Sequence, residues 1–229
     1  MKRIIVFIGL LCCLHMASAQ DAVNTIRQHY ADAQEKVARY AEYEKEGEWS
    51  MPCPMYYEVN VKQNLPGTGY HKQRIRLYFY EIENEEWDAD APMLSRSLHF
   101  VTWKYNYGAR EFYEEYLYDE KGNIEFAYLR NADMDHFKGG EMRCYFQNGK
   151  LIKVLVSIRN EETEKFEQKY SGTTVPKEYV SLYEGCQHEI GRFKRLFQEI
   201  DGIGRFKITD VFLDRILRAF LHLFYCFED

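Results

Sequence analysis

The sequence contains no Asn-x-Ser/Thr sequon, no Cys-x-x-Cys pair, no Gly-x-Ser-x-Gly elbow and no uninterrupted apolar run of bilayer-spanning length. Each absence removes a class. Without sequons, an exported chain fits a bacterial periplasmic or extracellular setting. Without Cys-x-x-Cys, thioredoxin-like redox catalysis is excluded, and without the serine elbow so is the nucleophile of α/β-hydrolases. Gly67-x-Gly69 and Gly202-x-Gly204 lack the third glycine of a dinucleotide cradle. His188-Glu189 is followed at the fifth position by Arg192 rather than a second histidine, so no metalloprotease helix forms. Asn131-Ala132-Asp133-Met134-Asp135-His136 begins like a calcium loop. Its sixth residue, however, is His136 rather than glycine and its twelfth is Met142 rather than glutamate, so a polar hairpin loop is expected. No metal or cofactor is expected. A basic excess is lacking too: the formal net charge is −6, or −8 once Lys2 and Arg3 are removed with a leader. On composition this argues against a nucleic-acid partner and against general adsorption to anionic membranes.

The first nineteen residues carry a positive signal. Met1-Lys2-Arg3 precedes the short apolar run Ile4 to Leu14, and Ala17-Ser18-Ala19 has the small-x-small form of a cleavage site. This is the pattern of a secretory signal peptide over residues 1–19. Cys12 and Cys13 follow Leu11 and Cys12 rather than a small residue, so a soluble exported protein is expected rather than a lipoprotein.

Residues 20–229 then read as a single α+β domain, with no solenoid repeat and no Pro- or Ser-rich linker. Ala22, Ile26, Tyr30, Ala33, Val37 and Tyr40 recur at helical spacing, predicting a helix over 21–46, capped by Asp21 and ended by Gly47. From residue 56 to 159 the period changes to two, as in Tyr57, Val59 and Val61 or Ile75, Leu77 and Phe79. Further runs are 98–107, 111–118, 124–131, 141–148 and 150–159, joined by short turn sequences of which Asn148-Gly149 is the strongest. The expectation is an antiparallel meander of about seven strands, packed mainly on one face by the N-terminal helix and the C-terminal helices. Residues 176–226 form that helical C-terminal region, broken at Asp201-Gly202-Ile203-Gly204.

Three groups of side chains invite a role. Cys53, Cys144, Cys186 and Cys226 follow the leader, and an oxidising compartment would pair them. If 186–200 and 207–226 form an antiparallel helical hairpin, Cys186 and Cys226 meet at one end, leaving Cys53 for Cys144. Trp103, Tyr105 and Tyr107 share one face of a strand, with Tyr113, Tyr116, Tyr118 and Tyr128 on its neighbours. That is either a stacking platform for sugars or an apolar ligand, or ordinary cross-strand packing under a helix. The last helix presents Phe212, Ile216, Phe220 and Phe224 among other apolar residues around most of its circumference. Such a helix is buried within the chain, docked in an oligomer, or laid on a membrane surface.

In element order, a long helix before a hairpin-rich sheet resembles cystatin-like and other small periplasmic binding folds. No motif is shared, so the resemblance carries no residue across. The expected function is a secreted, non-enzymatic binding protein for another exported protein or a small ligand. Two alternatives are a periplasmic hydrolase or transferase with acids and histidines dispersed over loops such as Glu83–Asp90, and a structural component of the cell envelope.

Overall fold

The computed structural model describes the backbone of residues 2–46, 55–67, 69–83 and 94–225, and side chains within 20–42, 55–64, 66–67, 69–81 and 95–202. Helix α1 (Lys2–Glu46) is followed by β1 (Tyr56–Leu65), β2 (Gly69–Glu83), β3 (Leu94–Tyr107), β4 (Arg110–Tyr118) and β5 (Ile124–Asn131). A short turn, α2 (Met134–Phe137), leads to β6 (Gly140–Gln147), β7 (Lys150–Arg159) and β8 (Phe166–Gly172), and the long α3 (Val180–Tyr225) closes the order. The strands form one antiparallel sheet in chain order, β1 to β8. Short connections dictate this meander. At the β6–β7 turn, Asn148 and Gly149 both adopt positive φ, 51° and 73°, as a type I′ turn requires.

The α+β meander stands, with one strand more than expected and with its covering arranged differently. The two helices do not share a face. On one side Phe193 of α3 packs on Trp103 and Tyr116, and Phe197 packs on Tyr57 and Phe79. On the other, Val23, Ile26 and Ala33 of α1 pack with Tyr78, Phe100, Leu117, Phe126 and Tyr145. The cause is visible in the strands. Phe100-Val101, Tyr116-Leu117-Tyr118, Cys144-Tyr145-Phe146 and Val154-Leu155-Val156 are buried at consecutive positions. Successive side chains point to opposite faces, so such runs make both faces apolar and each needs a cover. The result is three layers, helix on sheet on helix.

The register explains where α1 lies. Directly opposed residues form a continuous row across six strands: Tyr56, Tyr78, Phe100, Leu117, Phe126 and Tyr145. The helix runs along that row, with Arg27 over Tyr145 of β6, Tyr30 on Phe126 of β5 and Tyr40 on Tyr78 of β2. Thirteen residues of helix rise about 20 Å, and four strand spacings cover about 19 Å, so the two repeats match.

Three further expectations are corrected, while the 131–136 segment is a hairpin turn as expected. Asp21 caps nothing, because α1 is already helical from Lys2. Strand β8 carries the sequence FEQKYSG with no clean alternation and lies at a sheet edge on β7, which is why its period gives no strand signal. The 131–136 segment is a turn in which Asp135, His136 and Phe137 take positive φ. Finally, α3 is not broken at Asp201-Gly202-Ile203-Gly204. Asp201 instead ties the helix to the sheet: Tyr57 Oη donates to Asp201 Oδ1 at 3.0 Å, and Arg96 lies 3.3 Å from it. Arg96 also binds Glu81 at 3.0 Å. The helix continues past this contact through both glycines.

An unbroken α3 removes the helical hairpin on which the Cys186–Cys226 pairing rested. Cys144 and Cys186 are free, buried thiols, and among the described residues there is no disulfide. Cys53 and Cys226 lie outside the described residues, as do the Glu83–Asp90 loop from residue 84 and the side chains of Phe212, Ile216, Phe220 and Phe224. Burial pushes the Cys144 thiol up to about 12 and raises Cys186 well above the usual range. Neither thiol is therefore expected to react with a thiol reagent at neutral pH until the protein unfolds, which labelling followed by mass spectrometry with and without denaturant will read. Asp201→Ala is expected to lower stability by about 1–3 kcal/mol, because it removes the acceptor of the Tyr57 hydroxyl and one of the two carboxylate partners of Arg96; denaturant melts will measure it.

Candidate functional site

The row of apolar residues under α1 is flanked by a second and a third row on the same face. Two residues further along each strand the opposed positions are Glu58, Arg76, Thr102, Glu115, Tyr128 and Arg143, and two further still Asn60, Arg74, Lys104, Tyr113, Arg130 and Glu141. Alternation puts every one of these side chains on the α1 side of the sheet. Across β1 to β6 aliphatic residues cease after the first row, and α1 covers that row. The helix flank and the polar rows therefore enclose a half-open cleft of about 600 Å³ over β4, β5 and β6.

From α1 the cleft receives Arg27, Tyr30 and Gln34, spaced three and four apart so that they share one helical face. At its base is Glu115, 5% exposed. The hydroxyls of Tyr30 and Tyr113 donate to its carboxylate, the latter at 2.6 Å, and Gln34 Nε2 approaches it at 3.4 Å and Tyr30 Oη at 2.7 Å. The charge is thus held by neutral donors and by no cation among the described residues, an arrangement that satisfies a buried carboxylate without neutralising it. Burial, with the charge and hydrogen bond of Glu115 next, holds the Tyr30 and Tyr113 phenols well above their ordinary range, so both stay protonated and keep donating.

The rim is cationic and aromatic. Arg27 lies over the Tyr145 ring at 5.6 Å with its Nε 3.4 Å from the Tyr145 hydroxyl. Arg143 lies over Tyr128 at 5.6 Å and binds Glu141 at 3.0 Å, where the Tyr128 hydroxyl also donates. Arg130 lies over Phe166 at 5.4 Å. Among the described residues neither Arg27 nor Arg130 has a carboxylate partner. Guanidinium groups stacked on rings retain their in-plane donors, which is the geometry that receives carboxylate, sulfate or phosphate oxygens.

The other flank of α1 has the opposite character. A hollow there is lined by Asp32, Asp119, Glu120 and Glu125 beside Lys36, Lys121 and the imidazoles of His29 and His99. The helix therefore separates an acidic flank from a basic one. His99 packs on Tyr80 with ring centroids 4.2 Å apart. Desolvation, and secondarily the positive charge of Lys36, lowers its pKa to about 4.

The sequence-expected platform is otherwise disposed. Trp103 is only 9% exposed and belongs to the α3 face, stacked on Tyr105, edge-on to Phe193, with the Arg192 guanidinium 4.9 Å from its ring. Its indole N–H donates to Gln73 at 3.2 Å. Tyr105 donates to the buried Glu114 at 2.8 Å, and Tyr107 is half-exposed at the sheet end. Trp103 and Tyr105 are thus packing and hydrogen-bonding side chains on the α3 face, while Tyr107 stacks on His71 with much of its ring exposed. Of the tyrosines on neighbouring strands, Tyr113 and Tyr128 line the cleft on the opposite face.

The arginines and Glu115 were missed because composition averages charge over the whole chain. A readable signal existed. Lys72, Arg74 and Arg76 recur at period two on one strand, and Tyr113-Glu114-Glu115-Tyr116 places each glutamate two residues from a tyrosine and so on its face. In the structure Tyr113 donates to Glu115 and Tyr116 to Glu114, one pair on each side of the sheet.

No family model, curated protein or solved structure matches this chain. The likeness in element order to cystatin-like folds therefore supports no functional inference. No described helix is long and apolar enough to cross a membrane, and no described cluster of three or more His, Cys, Asp or Glu is placed to hold a metal ion.

His99 generates a pH prediction. Its folded pKa lies below the unfolded value, so acidification favours protonation of the unfolded chain first. Stability is expected to be complete above about pH 6.5 and to fall by up to about 3 kcal/mol as the pH drops towards 4. Denaturant midpoints of His99→Gln across that window should lack this part of the acid dependence; a curve parallel to the parent would sink the assignment.

Proposed function

We propose that this chain is an exported binding protein, acting without catalysis, that captures an anionic, ring-bearing ligand in the cleft beside α1. The observation that carries the reading is the pair Arg27 and Arg130. Two guanidinium groups without carboxylate partners among the described residues border an aromatic cleft in a chain whose net charge is negative. The tyrosine and phenylalanine side chains that line the cleft favour a ligand with an apolar or ring face of its own, and the Tyr and Gln side chains offer hydrogen bonds to hydroxyls.

The lining supports binding better than turnover. Both oxygens of Glu115 are occupied by donors, and the cleft walls contain no histidine, cysteine or serine to make a base–nucleophile pair with it. Export is supported by the charged, apolar and small-residue order of residues 1–19. Cleavage after Ala19 would remove nothing that lines the cleft, whose first residue is Arg27.

Calorimetric titration of the full chain with a glucuronate-containing disaccharide and with its neutral counterpart tests the reading. Binding of the acidic sugar alone is expected, weakened at least about tenfold in Arg27→Ala/Arg130→Ala, as the loss of charge-assisted bonds requires. Equal binding of both sugars, or an acidic-sugar affinity indifferent to the two arginines, would refute it.

A further inference from the structure

We propose that the cleft is one end of a longer groove whose occupant is a linear acidic polysaccharide lying across the strands; the inference rests on the cleft being an anion site. Three hollows adjoin on the same face. Tyr113 and Arg130 line both the cleft and a second hollow of about 340 Å³, and Lys104 and Glu111 line both the second and a third of about 680 Å³. The third hollow reaches Lys62, Lys72 and Arg74 on β1 and β2. From β1 to β6 the groove crosses five strand spacings, about 24 Å, which is several times the width of a single sugar-sized group.

Its charge is one-sided. Arg74 stands directly opposite Lys104, and Lys62 directly opposite Lys72. Like charges directly opposed across strands are destabilising. Two such pairs lie side by side, and among the described residues the one acid lining this stretch is Glu111, 3.3 Å from Lys104. A chain with an anionic group on successive units would neutralise both pairs at once.

The chemistry of the groove selects among polyanions. Single-stranded nucleic acid is held by successive open aromatic platforms. Here the half-exposed Tyr70 already carries Lys72 over its ring at 5.0 Å, and Trp103 is on the other side of the sheet under α3. An extended acidic peptide gains its affinity from main-chain pairing at a sheet edge, whereas this groove runs over the sheet face at right angles to the strands. What the groove does offer, beside cations, is the amide oxygen of Asn60, whose Nδ2 donates to Glu58, and the Tyr113 hydroxyl, which donates to Glu115 and can still accept. Those groups suit a chain rich in hydroxyls as well as carboxylates or sulfates.

The test uses uronate oligosaccharides of increasing length with the full chain. The octasaccharide is expected to bind at least about tenfold more tightly than the disaccharide, because each added contact is intramolecular, and its affinity should fall more steeply with salt. Arg74→Ala/Lys104→Ala should abolish that gain while leaving disaccharide affinity unchanged, and should melt no lower than the parent, because it relieves repulsion. Arg27→Ala/Arg130→Ala should weaken both lengths. Disaccharide binding with no gain on lengthening overturns the groove and leaves the cleft reading standing. Disaccharide binding indifferent to Arg27 and Arg130, or no binding at any length, overturns the cleft reading and the groove with it. Single-stranded DNA of equal charge binding more tightly than the octasaccharide also overturns the polysaccharide assignment.

Discussion

The rest of the molecule depends on the seating of Tyr30. Its ring lies 4.4 Å from that of Phe126 and 6.2 Å from that of Phe100, and its hydroxyl donates to Glu115. The apolar contact places α1 along the first row of the sheet, and the polar contact stops it there. A helix held only by greasy contacts could slide towards the second row; doing so here would strip Glu115 of a donor in a site where water cannot replace it. A buried carboxylate is a costly way to stabilise a fold. It is a direct way to fix one, and the boundary it fixes is the wall of the cleft.

That boundary also sorts charge. The chain is acidic on average, yet α1 has Asp32, Asp119, Glu120 and Glu125 on one flank and Arg27, Arg130 and Arg143 on the other. Screening confines each group's field to roughly a Debye length, about 8–10 Å in ordinary salt. A ligand approaching the polar rows therefore experiences the cations and little of the net negative charge. Arguments from net charge hold for diffusion to the molecule as a whole and fail for a face where alternation collects the cations of four strands.

This is also why the fold was more legible than the site. Strand alternation, the Asn148-Gly149 turn and the helical spacing from Ala22 to Tyr40 are local patterns, and each produced the element it implied. Strand β8 failed the same test because Phe166, Tyr170 and the polar residues between them show no period. Consecutive buried residues such as Tyr116-Leu117-Tyr118 did announce two covered faces, but only if an unbroken apolar run is taken to mean a doubly buried strand. The cleft required the register: Glu115, Tyr128 and Arg143 become neighbours only when β4, β5 and β6 are aligned to the residue. Trp103 shows the converse. A conspicuous aromatic stripe is visible in sequence, and the structure uses it beneath α3.

The two faces differ in how far their apolar character extends, and this difference leaves polar rows beside α1. On the α3 side apolar residues persist through successive rows, Tyr57, Leu77, Val101, Tyr116, Ala127, Cys144 and Val154 in one, and Val59, Ile75, Trp103, Leu129, Met142 and Val156 around Glu114 in the next. Glu114 itself is closed off by the Tyr105 and Tyr116 hydroxyls, and burial raises its pKa. On the α1 side, across β1 to β6, a single apolar row is followed at once by polar and charged ones, and Leu155 of β7 alone extends the core into the second row. The same strands supply both faces, so the asymmetry resides in which member of each adjacent pair is polar: Arg74 beside Ile75, Arg76 beside Leu77, Lys104 beside Trp103, Arg130 beside Leu129, Arg143 beside Met142. Sheet stability is satisfied by one helix over one row. Among the polar rows beyond it, Glu115 fixes the helix through Tyr30, whereas the opposed cations Arg74 and Lys104 work against the sheet.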